Sequence, residues 1–380
     1  MEFLSKKLSI AESVGKGHPD KICDQISDAI LDNILKQDSN ARVAIETMAS
    51  NRLIIIAGEI KTHSYVDFVQ IAWNIVKSLG YSENDFTIIS NVNSQSADIA
   101  QGVDKESGLI GAGDQGIVYG YASKETTSYM PLAHTIAHEL LKLAEKLRVS
   151  GDFLWAKADM KSQVEIDFSN QKPKINKIIM SVQHDANYDH QLFVSFIKEK
   201  IMKKVAVSFG LNTDFETLIN TTGKFVIGGP IGDTGLTGRK IIIDSYGDRA
   251  HHGGGAFSGK DYTKVDRSGA YAARWVAKNL VAAGVADEIE VQLSYAIGLP
   301  EPTSIAISQS GERLFEESKL IDVVKKVFNL SVVNVINELG LKAPIYQQTA
   351  TYGHFGRDDL NLPWESLNKV DKIKQLLNIK

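Results

Sequence analysis

At 380 residues, with 23% charged and 43% hydrophobic residues, the chain has an ordinary globular balance and the length for two or three domains. A net charge of −4 argues against nucleic acid or an anionic membrane surface as principal partner, so basic side chains that act must be concentrated locally. One cysteine, Cys23, excludes an intrachain disulfide framework or a cysteine-based zinc cluster, and with no apolar leader or run of 18 apolar residues the chain reads as soluble and cytoplasmic.

The elements follow in chain order. Ile22, Ile26, Ala29, Ile30 and Ile34 share one face of a helix over Asp20 to Lys36, with Pro19 just before it. Cys23 lies in this pattern as a small buried hydrophobe. Ala41–Thr47 and Leu53–Ile60 read as strands joined at Asn51-Arg52, with Glu46 and Glu59 late in each. A helix over Tyr65–Leu79 stops at Gly80. Residues 93–116, rich in Ser, Gly, Ala, Asp and Gln, read as a mobile lid. Within it Gly111 to Gly116 spells G-x-G-x-x-G, but a strand-like run at Ile117–Tyr121 follows where a dinucleotide fingerprint needs a helix, so that reading is rejected. Further helices are predicted at Pro131–Arg148, His190–Val207, Arg267–Ala283 and Glu317–Leu339. Further strands are predicted at Ser162–Phe168, Lys177–Gln183, Lys240–Ser245, Glu288–Ala296 and Thr303–Ser308. Strands followed by one or two helices recur about three times without clean βαβ alternation, which favours an α+β fold.

Five segments place isolated charges among glycines and small residues: 17–21, 157–162, 232–240, 253–266 and 353–357. Glycine-rich loops let a ligand approach the backbone closely. In the fourth, Gly254 and Gly259-Lys260 stand at the G-x-x-x-x-G-K spacing of a phosphate loop. Asp261 replaces the hydroxyl residue that would hold Mg²⁺, and the helical pattern resumes only near Arg267, so the P-loop fold is rejected and the phosphate reading kept. Together His18, Lys161, Arg239, Lys240, Lys260 and Lys264 supply concentrated positive charge, while Asp20 and Asp266 offer hard oxygen donors for Mg²⁺. That combination suits a nucleoside triphosphate. His251 and His252 are loop residues and not a metal pair, because adjacent side chains on extended backbone point apart.

Gly-His-Pro-Asp-Lys at 17–21, Gly-Ala-Gly-Asp-Gln-Gly at 111–116, Phe-Val-Ile-Gly-Gly-Pro at 225–230, Gly-Leu-Thr-Gly-Arg-Lys at 235–240 and Gly-Gly-Gly-Ala-Phe-Ser-Gly-Lys-Asp at 253–261 resemble, in order and across nearly the whole chain, the S-adenosylmethionine synthetase (methionine adenosyltransferase) family. The resemblance implies three similar, intertwined α/β-sandwich-like domains about a pseudo-threefold axis, from sequence segments 1–101, 112–229 and 230–380, with 93–116 as gating loop. It implies ATP and L-methionine as substrates, two Mg²⁺ and one K⁺ per site, and a homodimer with sites between subunits, paired as a dimer of dimers.

By position, the resemblance makes His18, Lys161, Arg239, Lys240, Lys260 and Lys264 the catalytic set. Asp159, Lys224, Phe225, Asp233 and Ala256 join most of these around ATP, and Phe225 can stack on adenine. Glu59, Gln95, Asp114, Asp233 and Lys264 face methionine; Asp20 and Asp266 take Mg²⁺ and Glu46 takes K⁺. Lys224 stands where the family commonly has arginine, which weakens a bidentate or stacking contact. Read as residues alone, Glu46 and Glu59 also suit solvent-facing strands, Phe225 a core and Lys264 a solvated surface. A kinase or ATPase would use the same cations but needs a hydroxyl acceptor or a positioned water. A nucleotide-binding regulator without turnover would explain the cations but not two metal-competent aspartates and a lid.

Overall fold

The chain passes three times through one succession of elements. The computed structural model describes residues 7–94, 111–311 and 315–379. The first pass is β1 (Leu8–Val14), α1 (Pro19–Leu35), the antiparallel hairpin β2 (Arg42–Ser50) and β3 (Leu53–Lys61), a helix at Phe68–Ser78, and β4 (Thr87–Ser94) parallel to β3. The second is β5 (Gly116–Ser123), α2 (Leu132–Ser150), the hairpin β6 (Ala156–Asp167) and β7 (Lys174–His184), helical turns over 190–208, and β8 (Glu216–Ile219) parallel to β7. The third is β9 (Gly235–Leu236), α3 (Val265–Ala282), the hairpin β10 (Glu288–Tyr295) and β11 (Ser304–Ser310), and helices at Glu317–Val327 and Val332–Glu338.

In no pass does the leading strand join its own hairpin. β1 pairs with β6, β5 with β10 and β9 with β2, each antiparallel and each on the first strand of the hairpin it joins. Every sheet therefore borrows an edge from another unit, and the exchange closes in a ring: a threefold pseudo-symmetry of connectivity in an α+β fold. Among the described residues no helix is long and apolar enough to cross a membrane.

Exchange of edges places α1 and α3 in the interior. Sixteen of the seventeen residues of α1 are buried, and sixteen of the eighteen of α3. The predicted apolar face of α1 is present, but its charged face is buried as well, so each aspartate there must find a partner. Close approach is built in with glycine where β5 crosses α3. A Cβ at Gly120 would overlap the Ala273 carbonyl group. Gly120→Ala is expected to destabilise by about 1–3 kcal/mol through overpacking, read as a lower urea midpoint; an unchanged midpoint would mean that strand and helix can part freely.

Four sequence expectations need correction. The predicted strand Lys240–Ser245 is a helical turn, Ile241–Asp244. Three isoleucines favour extended backbone, but Asp244 N donates to Lys240 O at 2.9 Å and the Asp244 carboxylate is drawn to buried Lys21. The predicted helix Glu317–Leu339 breaks over 328–331, where the Asn329 side chain accepts from Ser331 N at 3.1 Å and competes with helical bonding. The helix predicted from Arg267 begins two residues earlier, at Val265, with Lys264 as N-cap. β1, β4 and β8 went unpredicted. In β1 the inward face is small, Ser9, Ala11 and Ser13, while Leu8 and Ile10 point outward, so hydrophobic alternation marks the wrong face. Of the predicted lid, 95–110 lie outside the described residues; Asn93 and Ser94 belong to β4 and Gly116 opens β5.

Candidate functional site

The edge of β2 organises the site. Gly235 and Leu236 pair with Ala49 and Met48 at one end, and Thr237 N donates to Thr47 O. Further along the same strand Ile45 N donates to Gly259 O at 3.0 Å and Asp261 N to Val43 O at 3.1 Å. Two of the charged loops, 232–240 and 253–264, are thus laid end to end along one strand. They meet at Gly238, whose φ of +77° suits glycine and where a Cβ would overlap that of Ala256.

The first wall gathers around the N-terminus of α1. Gly15 N and Gly17 N donate to Met160 O (2.8 Å) and Ala158 O (3.1 Å), which docks the loop against the start of β6. A Cβ at Gly17 would overlap Ala158. His18 then caps α1, its Nδ1 accepting from Asp20 N at 3.2 Å. With Nδ1 as acceptor, the proton of the neutral ring sits on Nε2 as a free donor. Burial first, then the charges of Lys240 and Lys161, lower the His18 pKa to about 3 against the pull of Asp20. Asp20 is buried too, accepting from Leu236 N at 2.9 Å and from Lys240 Nζ at 2.5 Å. Although burial opposes it, these bonds hold the carboxyl below its ordinary range, so it is ionised.

Asp159 completes this wall. Its Oδ2 accepts from Gly229 N at 2.8 Å and its buried Oδ1 has no hydrogen-bond partner among the described residues. Burial raises its pKa to about 6, against the Gly229 N–H and the charge of Lys161 and with the charge of Asp233. Lys161 and Arg239 are exposed and form no ion pair among the described residues. Asp233 is exposed, its carboxylate accepting from Thr234 N. Phe225 is half-buried, its N–H donating to His184 Nε2 at 3.0 Å, and Lys224 beside it is exposed.

The second wall faces outward from β2. Lys260 Nζ pairs with Asp266 at 2.5 Å, and Gly116 and Gly255 leave room at that carboxylate. Ala44 pairs with Glu59 on β3 and bridges to Lys260 on its other side, so Glu59 and Lys260 project from the same sheet face. Glu46, two residues from Ala44, shares that face, and both glutamates are exposed. Gly113 N donates to Thr263 O at 3.3 Å, which ties the backbone just before exposed Asp114 to the backbone just before Lys264. Gln95 lies outside the described residues. Asp261, the residue that spoils the phosphate-loop pattern, holds the loop together: it accepts from Val43 N (2.7 Å), Thr263 N (2.8 Å), Thr263 Oγ1 (2.7 Å) and Lys264. His251 and His252 diverge as expected; His251 pairs with Glu290 at 2.9 Å and His252 Nδ1 accepts from Gly254 N.

Sequence reading missed what ties the walls together. Asp20, Asp24, Asp28 and Asp32 stand four residues apart on α1, and each receives backbone N–H groups from another loop: Leu236, Gly238, Gly259, and Tyr346 with Gln347, all between 2.8 and 3.0 Å. Like charges four apart disfavour a helix. Four in a row are therefore a legible sign that each has a partner elsewhere.

The His18 environment has a testable consequence. A ring that is neutral in the folded chain but protonates near 6.5 when unfolded supplies stability that is complete above pH 6.5 and is lost as pH falls toward 3. Between pH 7 and 5 the thermal midpoint of the wild type is expected to fall more than that of His18→Gln; parallel curves would show an ordinary, solvated histidine.

Comparison with known proteins covers nearly the whole chain. Three family models match in order: the S-adenosylmethionine synthetase N-terminal domain at 6–107, central domain at 109–225 and C-terminal domain at 227–366. The chain is 59% identical over 373 residues to the S-adenosylmethionine synthase of Mycoplasmopsis pulmonis, covering 98% of this chain and 99% of that one. It is 54% identical over 378 residues to that of Mesoplasma florum, covering 97% and 100%, and 48% identical over 390 aligned positions to that of Clostridium tetani, covering 98% and 100%.

Proposed function

The chain belongs to the S-adenosylmethionine synthetase family, and we propose that the two walls are complementary halves of the site at which it converts ATP and L-methionine to S-adenosylmethionine. The observation that carries this assignment is the pairing of two half-buried lysines with carboxylates: Lys240 with Asp20, Lys260 with Asp266, both at 2.5 Å. Each wall presents a cation and a hard oxygen donor together, as a leaving polyphosphate requires.

A thioether sulfur carries no proton, so attack on C5′ needs alignment and a stabilised leaving group but no general base. His18, neutral with its proton on Nε2, donates at the bridging oxygen of the α-phosphate end, where negative charge develops as the C5′–O bond breaks. Lys240 and Lys260 turn to phosphate oxygens, joined by Lys161 and Arg239. One cation at about 4 Å is worth roughly 4 kcal/mol at an effective dielectric of 20 before desolvation. Asp159 offers its unpartnered Oδ1 to adenosine, with Phe225, Lys224 and Ala256 lining the base. Asp114, Glu59, Gln95, Asp233 and Lys264 receive methionine, Asp114 opposite its amino group. The tripolyphosphate is then hydrolysed, one water adding across a P–O–P bond, to phosphate and diphosphate.

Among the described residues no three His, Cys, Asp or Glu side chains converge. Single carboxylates suit Mg²⁺, which takes one or two from protein and the rest from phosphate and water. The carboxylates released by the lysines, Asp20 and Asp266, would hold two such ions, and Glu46 a K⁺; bound cations would neutralise charge on the leaving group. Segments 1–101, 112–229 and 230–380 are the proposed domain units, with 93–116 as gate. Exposure of Glu46 and Glu59 on the open face of β2 and β3 supports a homodimer in which a partner covers that face; the further pairing of dimers rests on the family resemblance alone. We place the protein in the cytoplasm.

Incubation of purified protein with ATP, methionine, Mg²⁺ and K⁺ is expected to yield a sulfonium nucleoside, diphosphate and phosphate by mass spectrometry and phosphate analysis, and chelation of Mg²⁺ to abolish all three. ADP in place of these products would overturn the reading in favour of a kinase or ATPase.

A further inference from the structure

Residues 223–228, which carry Lys224 and Phe225, form no helix or strand of their own and run past the end of β7. Side chains of β7 and of the loop hold them there. Asn220, in left-handed backbone with φ of +42°, is joined to Val182 through both ends of its amide: Oδ1 accepts from Val182 N at 2.8 Å and Nδ2 donates to Val182 O at 3.0 Å. On the far side Gln183 Nε2 donates to Val226 O at 3.0 Å. A Cβ at Gly228 would meet the Gln183 amide carbon at 2.7 Å and the Phe225 ring at 3.0 Å, so the segment curls with that ring against its own backbone.

Phe225 itself is held by a single residue. His184 N donates to Phe225 O at 2.9 Å, and the His184 ring Nε2 accepts from Phe225 N at 3.0 Å. The tautomer follows from the partners. An amide N–H can only donate and a carbonyl can only accept, so Nε2 carries the lone pair and Nδ1, 2.8 Å from Asp185 O, carries the proton. The imidazole is wholly buried, with the Tyr188 ring centroid 3.8 Å away and Phe193 edge-on at 5.5 Å. Tyr188 Oη also donates to Gly223 O at 3.2 Å, which closes a clip over the segment. A ring packed this closely keeps its lone pair aimed at one N–H.

We propose that His184 is the positioning residue for Phe225: its Nε2 lone pair fixes the backbone that carries the aromatic ring offered to adenine, and so governs the grip on ATP and not that on methionine. The inference rests on the adenine role given to Phe225. Only an acceptor at the place of Nε2 serves. A glutamine side chain is long enough to bring Oε1 there, whereas asparagine ends at the level of Nδ1 and leaves the Phe225 N–H unpaired.

The test measures KM for ATP, KM for methionine, turnover at saturation and thermal midpoint for wild type, His184→Asn, His184→Gln, Phe225→Ala and His184→Asn combined with Phe225→Ala. His184→Asn is expected to raise the KM for ATP about tenfold, with the KM for methionine and saturated turnover within about twofold of wild type. His184→Gln is expected to bring the KM for ATP back to within about threefold of wild type, although both substitutions lose the ring packing and lower the thermal midpoint. Added to Phe225→Ala, His184→Asn is expected to change the KM for ATP by less than about twofold, because it acts through a ring that is no longer there. Equal KM values for the Asn and Gln variants, or a lower midpoint with the KM for ATP unchanged, would make His184 a purely structural residue and overturn the inference. Should His184→Asn yield no folded protein, nitrogen NMR of histidine-labelled wild type carries the test: the Nδ1–H tautomer is expected at His184, and the Nε2–H tautomer would overturn the inference. If Phe225→Ala by itself leaves the KM for ATP unchanged, the site reading fails instead.

Discussion

Replacing Lys240 by alanine is expected to lower turnover by about 100- to 1,000-fold, the range for removing one preorganised donor from a developing negative charge. Three features of its surroundings make the effect large. Its ammonium is fixed by Asp20 at 2.5 Å and is not a freely swinging surface group. It lies on the turn that follows Arg239, so it shares the loop pinned by Asp24 at Gly238. Its charge also helps keep the His18 ring neutral, so its loss alters the donor at the bridging oxygen as well. The loss is expected in the rate of the first adenosyl transfer, measured by rapid quench, with methionine affinity little changed. Lys240→Arg restores charge but not the point-like ammonium geometry, and is expected to fall between the two. Turnover of Lys240→Ala within threefold of wild type, in a protein of unchanged thermal midpoint, would remove Lys240 from the catalytic set.

Arg267→Met is expected to cost about 3–5 kcal/mol of folding stability, because it leaves the Asp28 carboxylate buried without its cation. Few side chains here are more completely enclosed: Arg267 and Asp28 are both 0% exposed. Besides its two bonds to Asp28, the guanidinium lies 4.2 Å from the centre of the Tyr346 ring. The pair also holds Gly259, hence the loop that carries Lys260. Urea unfolding followed by tryptophan fluorescence should show the midpoint falling sharply. Combining Arg267→Met with Asp28→Leu should recover part of the loss, since the penalty of an uncompensated charge then disappears. A double variant as unstable as Arg267→Met alone would show that packing around the guanidinium, and not its charge, is what matters.

How much of this was legible depended on where the cause of each feature lies. The loops 17–21, 235–240 and 253–261 could be read because their glycines and charges are local necessities: the chain at Gly17, Gly238 and Gly255 passes too close to a neighbour for any side chain. Asn51, with φ of +51°, was readable as the hairpin turn because asparagine tolerates left-handed backbone. Ile241–Asp244 misled because its local preference for a strand lost to a distant partner, Lys21. Asp261 looked like a broken motif in sequence, and only the four donors that converge on it explain why an aspartate is there.

By itself the sequence determined the α+β class, the long helices α1, α2 and α3, the first hairpin and the identity of the charged loops, because periodicity and backbone sterics act over a few residues. Only the tertiary structure decided which strand completes which sheet, since exchange of β1, β5 and β9 depends on pairings more than a hundred residues apart. That exchange buries α1 and α3, and burial turns four aspartates of α1 from a solvent-facing stripe into anchors for separate loops. The cost of an unpartnered charge in the interior is what fixes those loops in place. Gly238 and Gly259, which precede Lys240 and Lys260 in the two loops, are held by Asp24 and Asp28 for that reason.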